Sequence, residues 1–166
     1  MARRPRPIVL AAILAAATVI GTGTSPADAA KLKVPRFVSL RFNTVYLRAG
    51  PGAQYPINWV YKRRGMPVEV IRDLDNWRRV RDRWGTVGWI HVSNLSGKRT
   101  VLIDGAVRQL HDEPNDKAKA IANAQPGVIA ALERCRKEWC RVSVDRWTGW
   151  LKRLHVWGVY AKEEID

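Results

Sequence analysis

The residues best suited to chemistry in this sequence are two cysteines, Cys135 and Cys140, in the segment ERCRKEWCRV. A hairpin turn centred between Lys137 and Glu138 would place them opposite each other, where paired strands bring Cβ atoms close enough for a disulfide. An even cysteine count in an exported chain favours that bond. Free buried thiols, or a redox or metal role for the pair, are the alternatives.

Catalytic and metal chemistry have little support elsewhere in the sequence. A cysteine nucleophile needs a histidine base and an orienting group in one cleft, and two cysteines that face each other do not provide this arrangement. The serines lie in no nucleophile-elbow or paired-lysine context. Two thiols also do not complete a zinc site, and the chain has 3 histidines to supply further ligands. We therefore expect a protein that is not an enzyme and that needs no metal and no cofactor.

The amino terminus has the pattern of a helical signal peptide over residues 1–29. Arginines form a basic start, Ile8–Ile20 forms an apolar core, and small residues precede a cleavage site between Ala29 and Ala30. The apolar core is shorter than the roughly 20 residues that cross a bilayer as a helix, although an uncleaved anchor is the alternative. We expect export to the periplasm in the unfolded state and no stable membrane span after cleavage.

The charge balance limits the class of partner. The chain has 29 Lys and Arg against 15 Asp and Glu, a formal net charge of +14 at pH 7. Such a charge favours anionic partners such as the carboxylate-bearing peptides of a cell wall. Nucleic acid would suit the basic and aromatic residues, but export argues against it. The alternative is a generally basic, solvated surface.

The sequence after the signal peptide contains the same landmarks twice in the same order. Leu47 matches Leu110, and the Gly and Trp residues of RGMPVEV, NWRRV and VGWI match those of PGVIAAL, EWCRV and TGWL. The offset between the copies shrinks by single residues, as changes in turn length would produce. The sequence therefore predicts two similar units in tandem, spanning 38–95 and 107–160.

Each unit is predicted to consist of strands and turns. Val45 and Leu47 alternate with Tyr46 and Arg48, which is the period of a half-buried strand. The β-branched and aromatic residues on both sides of Asp75-Asn76 predict a hairpin. The stretch DKAKAIANA has helical propensity, but the register of the repeat outweighs it. We therefore predict an all-β fold.

The first unit resembles a bacterial SH3 domain. The resemblance lies in VYLRAGPGAQYPINWVYKRRGMPVEVIRDLDNWRRV followed by GTVGWIHVSNL, and the chain as a whole is similar to the exported tandem bacterial SH3 proteins of alphaproteobacteria. This resemblance implies two small SH3-like β-barrels that bind peptides. The second unit departs from the pattern, because Gly50 and Gly52 are replaced by Glu113 and Asn115. We expect these glycines to adopt positive φ and the turn in the second unit to be reshaped.

The aromatic residues fall into two groups. Trp77 and Trp89 recur as Trp139 and Trp150, so we expect these four to cover the barrel cores. Tyr46, Tyr55 and Trp59 do not recur, and their counterparts fall near Gln109, Ala118 and Ala122. With Arg48, and with Trp89 as the floor, they could line a peptide groove. A contact between the units or local packing is the alternative.

The sequence therefore predicts an exported binding protein in which the first unit contacts an anionic peptide of peptidoglycan or another envelope ligand. Consecutive Lys62, Arg63 and Arg64, together with Arg79 and Arg81, are suited to bind carboxylates. The alternative is a periplasmic adaptor that recruits an envelope protein. The sequence predicts no oligomeric state.

Overall fold

The computed structural model describes residues 32–166. The predicted signal peptide and its cleavage site at Ala29 and Ala30 lie outside the described residues. Within residues 32–166 the regular structure consists of fourteen strands and two short 3-10 helices, Val92–Asn94 and Arg153–His155. The described part contains no helix long and apolar enough to cross a membrane. The all-β prediction is confirmed.

The first unit is a seven-stranded antiparallel sheet in the order β3-β2-β6-β5-β4-β1-β7. Its strands are β1 (Arg36–Leu40), β2 (Val45–Arg48), β3 (Ile57–Tyr61), β4 (Pro67–Leu74), β5 (Trp77–Arg81), β6 (Val87–His91) and β7 (Leu95–Ser96). The predicted hairpin is present, since Leu74 pairs with Trp77 across Asp75-Asn76.

The second unit repeats this order as β10-β9-β13-β12-β11-β8-β14. Its strands are β8 (Thr100–Ile103), β9 (Arg108–His111), β10 (Ala120–Ala124), β11 (Ile129–Arg136), β12 (Trp139–Val144), β13 (Trp147–Lys152) and β14 (Val156–Trp157). β8 lies before the predicted start of the unit at residue 107 and pairs with β11 as β1 pairs with β4. The stretch DKAKAIANA forms a turn followed by β10, so the repeat register decides its structure.

Each unit has its own core of branched aliphatic residues. Leu47, Val68, Val70, Val80 and Ile90 are among the fully buried residues of the first unit. The residues that occupy the same ladder positions in the second unit include Leu110, Ala130, Val142 and Leu151. These side chains alternate with outward-facing residues along their strands, as expected for a sheet that packs one face against a core.

The four recurring tryptophans do not cover the cores as predicted. Trp77, Trp89, Trp139 and Trp150 are half-buried and belong to neither core cluster. Strand alternation explains this difference, because Gly88 and Ile90 are buried on either side of Trp89. The indole rings therefore lie on the outer surfaces of the barrels, where Trp77 packs edge-on against His91.

The two units contact each other through aromatic and polar side chains. The ring of Phe37 lies 5.0 Å from that of Trp157 and 4.8 Å from that of Tyr160, measured between centroids. The hydroxyl of Tyr160 donates to Oε1 of the buried Glu69 at 3.0 Å. Residues 32–166 form one compact unit by their contacts, so the two barrels are held together by packing as well as by the chain.

The carboxyl-terminal residues fold back onto the second barrel. Arg153 is buried and donates to the carbonyl oxygens of Lys137 at 2.8 Å and Tyr160 at 2.7 Å. Ile165 forms an antiparallel bridge with Cys135. The last residues therefore extend the ordered structure beyond β14.

Candidate functional site

The structure groups three of the predicted ligand-binding residues on the outer face of the first barrel. Tyr46 and Arg48 both face outward on β2, and Arg48 is the ladder partner of Trp89. The guanidinium of Arg48 also donates to the carbonyl oxygen of Tyr55 at 2.7 Å. Tyr46, Arg48 and Trp89 therefore share one surface, and Tyr55 is attached to it through its backbone.

Gly50 and Gly52 serve a different purpose from the one predicted. Neither adopts a positive φ. A Cβ added to Gly50 would overlap Cδ1 of Tyr55, and a Cβ added to Gly52 would overlap Oε1 of Gln54. Gly50 is therefore required by the Tyr55 ring that folds back over the turn, whereas the flexible end of Gln54 could move away from a Cβ at position 52.

The corresponding turn of the second unit is not reshaped. The amides of Gly52 and Asn115 donate to the carbonyl oxygens of Gly50 and Glu113, respectively, at 3.0 and 2.8 Å. A glutamate fits at position 113 because Ala118 stands where Tyr55 stands in the first unit. The turn and the tyrosine that packs on it therefore differ together.

Trp59 lies apart from the other predicted site residues. Its ladder partner is the buried Leu47, and a shift in register follows between Leu47 and Arg48. Ladder partners project to the same face of a sheet, so Trp59 projects to the side opposite Tyr46. The structure therefore does not assemble the predicted groove with Trp89 as its floor.

Trp59 instead lines a cleft of about 370 Å³ at the open end of the barrel. We call this the aromatic cleft, and its lining residues are Trp59, Val60, Tyr61, Lys62, Arg63, Met66, Asp82, Trp84 and Thr86. The two indole side chains are open to solvent, with 56% of Trp59 and 69% of Trp84 exposed. Neither Trp59 nor Tyr55, which is 40% exposed, is covered by the second barrel.

A buried carboxylate holds the loop that presents Trp84. Asp82 accepts the amide hydrogens of Trp84 at 2.9 Å and Thr86 at 2.8 Å through Oδ1. Its other oxygen accepts the hydroxyl of Tyr61 at 3.0 Å. Burial, and then the adjacent Asp82 carboxylate, raise the pKa of Tyr61 above its usual value. The phenol therefore stays protonated and continues to donate to Asp82.

The second barrel shows that the fold does not require this arrangement. Ladder positions place Ala122 opposite Leu110 as Trp59 is opposite Leu47, and the same comparison matches Tyr61 with Ala124. Val144 occupies the position of Asp82, since it precedes the β12–β13 turn as Asp82 precedes the β5–β6 turn. The predicted counterparts Gln109, Ala118 and Ala122 agree with the ladders.

The two single-residue differences in length between the repeats both lie at the aromatic cleft. The turn ending at Gly65 has one residue more than the turn ending at Gly127, and the extra residue is Lys62. The loop from Arg83 to Gly85 replaces the shorter turn of Asp145 and Arg146. The sequence analysis named Lys62 as a basic residue but did not recognise it as an insertion, and it did not identify Asp82 or Trp84, although the drift in repeat offset marks both insertions.

The basic side chains beside the cleft have no acidic partner. Within residues 32–166 none of the ion pairs includes Lys62, Arg63 or Arg64. Arg63 donates to the carbonyl oxygen of Gly127 at 2.6 Å, and Lys62 lies 3.4 Å from the hydroxyl of Thr44. Their charges are therefore not neutralised by a carboxylate of the described chain.

The predicted disulfide is present. Cys135 and Cys140 are ladder partners on either side of a turn at Lys137 and Glu138, and their sulfur atoms are bonded at 1.99 Å. Both cysteines are buried in the core of the second barrel. Neither thiol is free to act as a nucleophile.

Comparison with known proteins agrees with the repeat. The family model described as Bacterial SH3 domain matches the chain twice, over residues 42–97 and 107–158. No curated protein sequence matches significantly. Among solved structures, the chain is similar to the structure of NlpC2 from Trichomonas vaginalis at 11% identity and a TM-score of 0.35, over 76% of this chain and 49% of that chain. The chain thus spans about half of that protein, and a similarity this weak supports no functional statement.

The family model and the strand ladders thus both divide the chain into two similar units, and the two units have the same strand order. The chain belongs to the bacterial SH3 domain family and contains two copies of the domain in tandem.

Proposed function

We propose that this is a non-enzymatic, exported binding protein whose aromatic cleft takes a carboxylate-bearing peptide of the cell wall. One observation carries the proposal. The residues by which the first barrel exceeds the second, Lys62 and the longer loop at Trp84, surround a single cleft. The second barrel folds without them, so their role lies in what the cleft binds.

The chemistry of the cleft indicates the class of ligand. Two exposed indoles offer large apolar faces with a polar edge, which suits an extended peptide better than a small inorganic anion. Lys62, Arg63 and Arg64 supply positive charge beside these rings, and wall peptides present several carboxylates. An arginine fork binds a carboxylate through two hydrogen bonds, so charge would orient a peptide whose side chains contact the rings.

The disulfide supports the proposed location. Disulfides persist in oxidising compartments such as the bacterial periplasm and are rare in the cytosol. Cys135–Cys140 also removes both thiols from any nucleophilic role, which supports a binding function rather than a catalytic one. The basic start and apolar core before residue 29 support the same route of export.

Binding to purified peptidoglycan tests the proposal. Trp59→Ala and Trp84→Ala should each weaken the Kd for the wall at least tenfold, because truncating an aromatic residue central to an interface costs about 2 kcal/mol. Trp147→Ala is the matched control, since Trp147 is an exposed tryptophan of the second barrel outside the cleft. Its Kd should equal that of the unmodified protein.

The proposal fails if the protein does not bind the wall, or if both cleft variants bind as tightly as the control. Crosslinking in cells separates the adaptor alternative from the wall ligand. A stoichiometric protein partner, captured through the cleft and without any attached wall peptide, would replace the peptide ligand with an envelope protein.

A further inference from the structure

The second barrel has a cleft of its own, which is lined mainly by basic and polar side chains. It has a volume of about 520 Å³, and we call it the basic cleft. Its lining residues are Val107, Arg108, Gln109, His111, Asp116, Asn123, Trp139, Lys152, Leu154 and His155. Most of these residues come from β9, β10, β12, β13 and the 3-10 helix that follows β13, while Val107 precedes β9 and Asp116 lies between β9 and β10.

Cationic and imidazole side chains outnumber carboxylates in the basic cleft. Arg108, Lys152, His111 and His155 converge on it, whereas Asp116 is its one acidic lining residue. Nζ of Lys152 lies 2.7 Å from the Asp116 carboxylate, which is largely exposed. With both imidazoles neutral, the cleft carries one positive charge more than negative, and protonation of the histidines adds to that excess.

The hydrogen bond of His111 leaves one ring nitrogen available to a ligand. Its Nδ1 lies 2.9 Å from the carbonyl oxygen of Ala118. A carbonyl oxygen only accepts, so Nδ1 carries the hydrogen, and Nε2 becomes a second donor when the ring is protonated. Trp139 contacts this ring edge-on at 5.8 Å between centroids and therefore limits its orientation.

The first barrel has a different set of residues at the equivalent positions. Arg48 pairs with Trp89 where His111 pairs with Trp150, and His91 pairs with Trp77 where Lys152 pairs with Trp139. Asn94 stands in the place of His155, since each offers its carbonyl oxygen to the residue after β1 or β8. Val45 takes the place of Arg108. Arg108 and His155 are thus specific to the second barrel, whereas the other two positions carry Arg48 and His91 in the first.

His155 experiences the excess of positive charge directly. Partial burial lowers the pKa of His155, and the charges of Arg108 and Lys152 lower it further, while Asp116 opposes them. A bound anion would offset the two cations and favour the protonated ring. The imidazole would then become an additional charged donor to the same ligand.

We propose that the basic cleft binds a phosphomonoester group carried on a small organic molecule. A phosphate ester has a charge of about −1.5 to −2 at neutral pH and three acceptor oxygens, which matches Arg108, Lys152 and a histidine as donors. A single carboxylate would need only one of these cations. The cleft is larger than a phosphate group alone, and Trp139 offers a ring for the organic part to contact.

Titration of the mature protein with methyl phosphate, inorganic phosphate and acetate tests this inference. Histidine proton signals followed by NMR should shift for His155 and His111 with both phosphates, and the Kd for acetate should be at least tenfold weaker. Arg108→Gln should weaken phosphate binding about tenfold, since a hydrogen bond to a charged group contributes 1.5–3 kcal/mol. Arg72→Gln removes an exposed charge of the first barrel and should leave the Kd unchanged.

The pH dependence provides a second readout. Phosphate affinity should rise as the pH falls from 7.5 to 6.5, because a bound anion offsets the charges of Arg108 and Lys152 that lower the pKa of His155 and thereby favours the protonated His155 ring. His155→Gln should reduce that rise. Binding that does not change with pH would show that the imidazoles take no part, and it would overturn the proposed donor set.

The inference is overturned if neither phosphate shifts the histidine signals, if acetate binds as tightly as methyl phosphate, or if Arg108→Gln behaves like Arg72→Gln. Its failure is distinguishable from that of the peptide proposal. Trp59→Ala and Trp84→Ala should bind phosphate normally, and Arg108→Gln should bind the wall normally, since the two clefts share no residue.

Discussion

The two barrels have the same strand order and equivalent cores, and yet they present different surfaces. The first has exposed indoles at Trp59 and Trp84 beside basic residues that form no ion pair within residues 32–166. The second has Ala122 where Trp59 would be and collects histidine, lysine and arginine in a different cleft. Because one chain contains both, each barrel shows which residues the fold needs and which it does not.

The two barrels also differ in a pair of residues that links two neighbouring strands. The ladder position that holds Cys135 and Cys140 in the second barrel holds Asp73 and Arg78 in the first. There the carboxylate of Asp73 pairs with Arg78 at 3.0 Å and with Arg36 at 2.9 Å. A covalent bond and an ion-pair cluster therefore join equivalent strands.

The largest expected effect comes from the shared cores. Leu47→Ala and Leu110→Ala should each lower the free energy of unfolding by about 3 kcal/mol, since both leucines are buried and truncation leaves a cavity. Urea denaturation of each variant measures the change. A much smaller cost for one of them would show that the two cores are not equivalent and would break the comparison.

A smaller effect is expected at Asp82, which anchors the loop that presents Trp84. Asp82→Val should cost about 2 kcal/mol, because it leaves the buried hydroxyl of Tyr61 without its acceptor. The double variant Tyr61→Phe with Asp82→Val approaches the apolar pair of the second barrel and should regain most of that stability. Thermal denaturation of the single and double variants measures both.

The double variant should still bind the wall more weakly than the unmodified protein, because the amides of Trp84 and Thr86 lose their acceptor. If full affinity returned together with stability, the Asp82 network would not be needed to present Trp84.

Loss of the disulfide should cost more stability than loss of the ion pairs of Asp73 at the equivalent position. Reduction of Cys135–Cys140 should lower the free energy of unfolding by about 2 kcal/mol through the entropy of the short loop that the bond closes. Asp73→Ala should cost about 1 kcal/mol or less, because its ion pairs are partly solvated. Urea midpoints with and without reductant give both values, and equal costs would contradict the prediction.

The smallest expected effect is the response of His155 to pH. Its pKa is lower in the folded protein than the usual 6.5, so the unfolded chain binds a proton more readily. Stability should therefore fall as the pH drops below about 6.5. The difference in Tm between pH 7.5 and pH 5.5 should be smaller for His155→Gln, and an unchanged difference would show that other groups dominate.

The sequence was sufficient to predict the repeat, the strands, the Asp75-Asn76 hairpin and the disulfide. These features depend on local signals, namely alternation, turn residues and the spacing of Cys135 and Cys140 about a turn. The offset of the repeat also predicted the counterparts of Tyr46, Tyr55 and Trp59. Domain-level structure was thus readable from one sequence.

The positions of individual aromatic rings could not be predicted from the sequence. Tyr46 pairs with Val60 and Leu47 pairs with Trp59, so Trp59 lies on the opposite face from Tyr46, and the sequence alone does not give the register of one strand against its partner. Gly50 appeared to be a turn glycine, because the sequence does not show that Tyr55 folds over it. The basic cleft was missed because its charged residues are spread from Arg108 to His155 and meet only when strands are paired.

The contact between the barrels has a consequence for ligands that are long or repetitive. Glu69 accepts hydrogen bonds from the hydroxyl of Tyr160 in the second barrel and from the guanidinium of Arg81 in the first. Rotation of one barrel against the other would therefore break a buried polar contact. The distance separating the two clefts is therefore built into the protein. A polymer carrying both ligand types would gain avidity only when its own repeat length matches that distance.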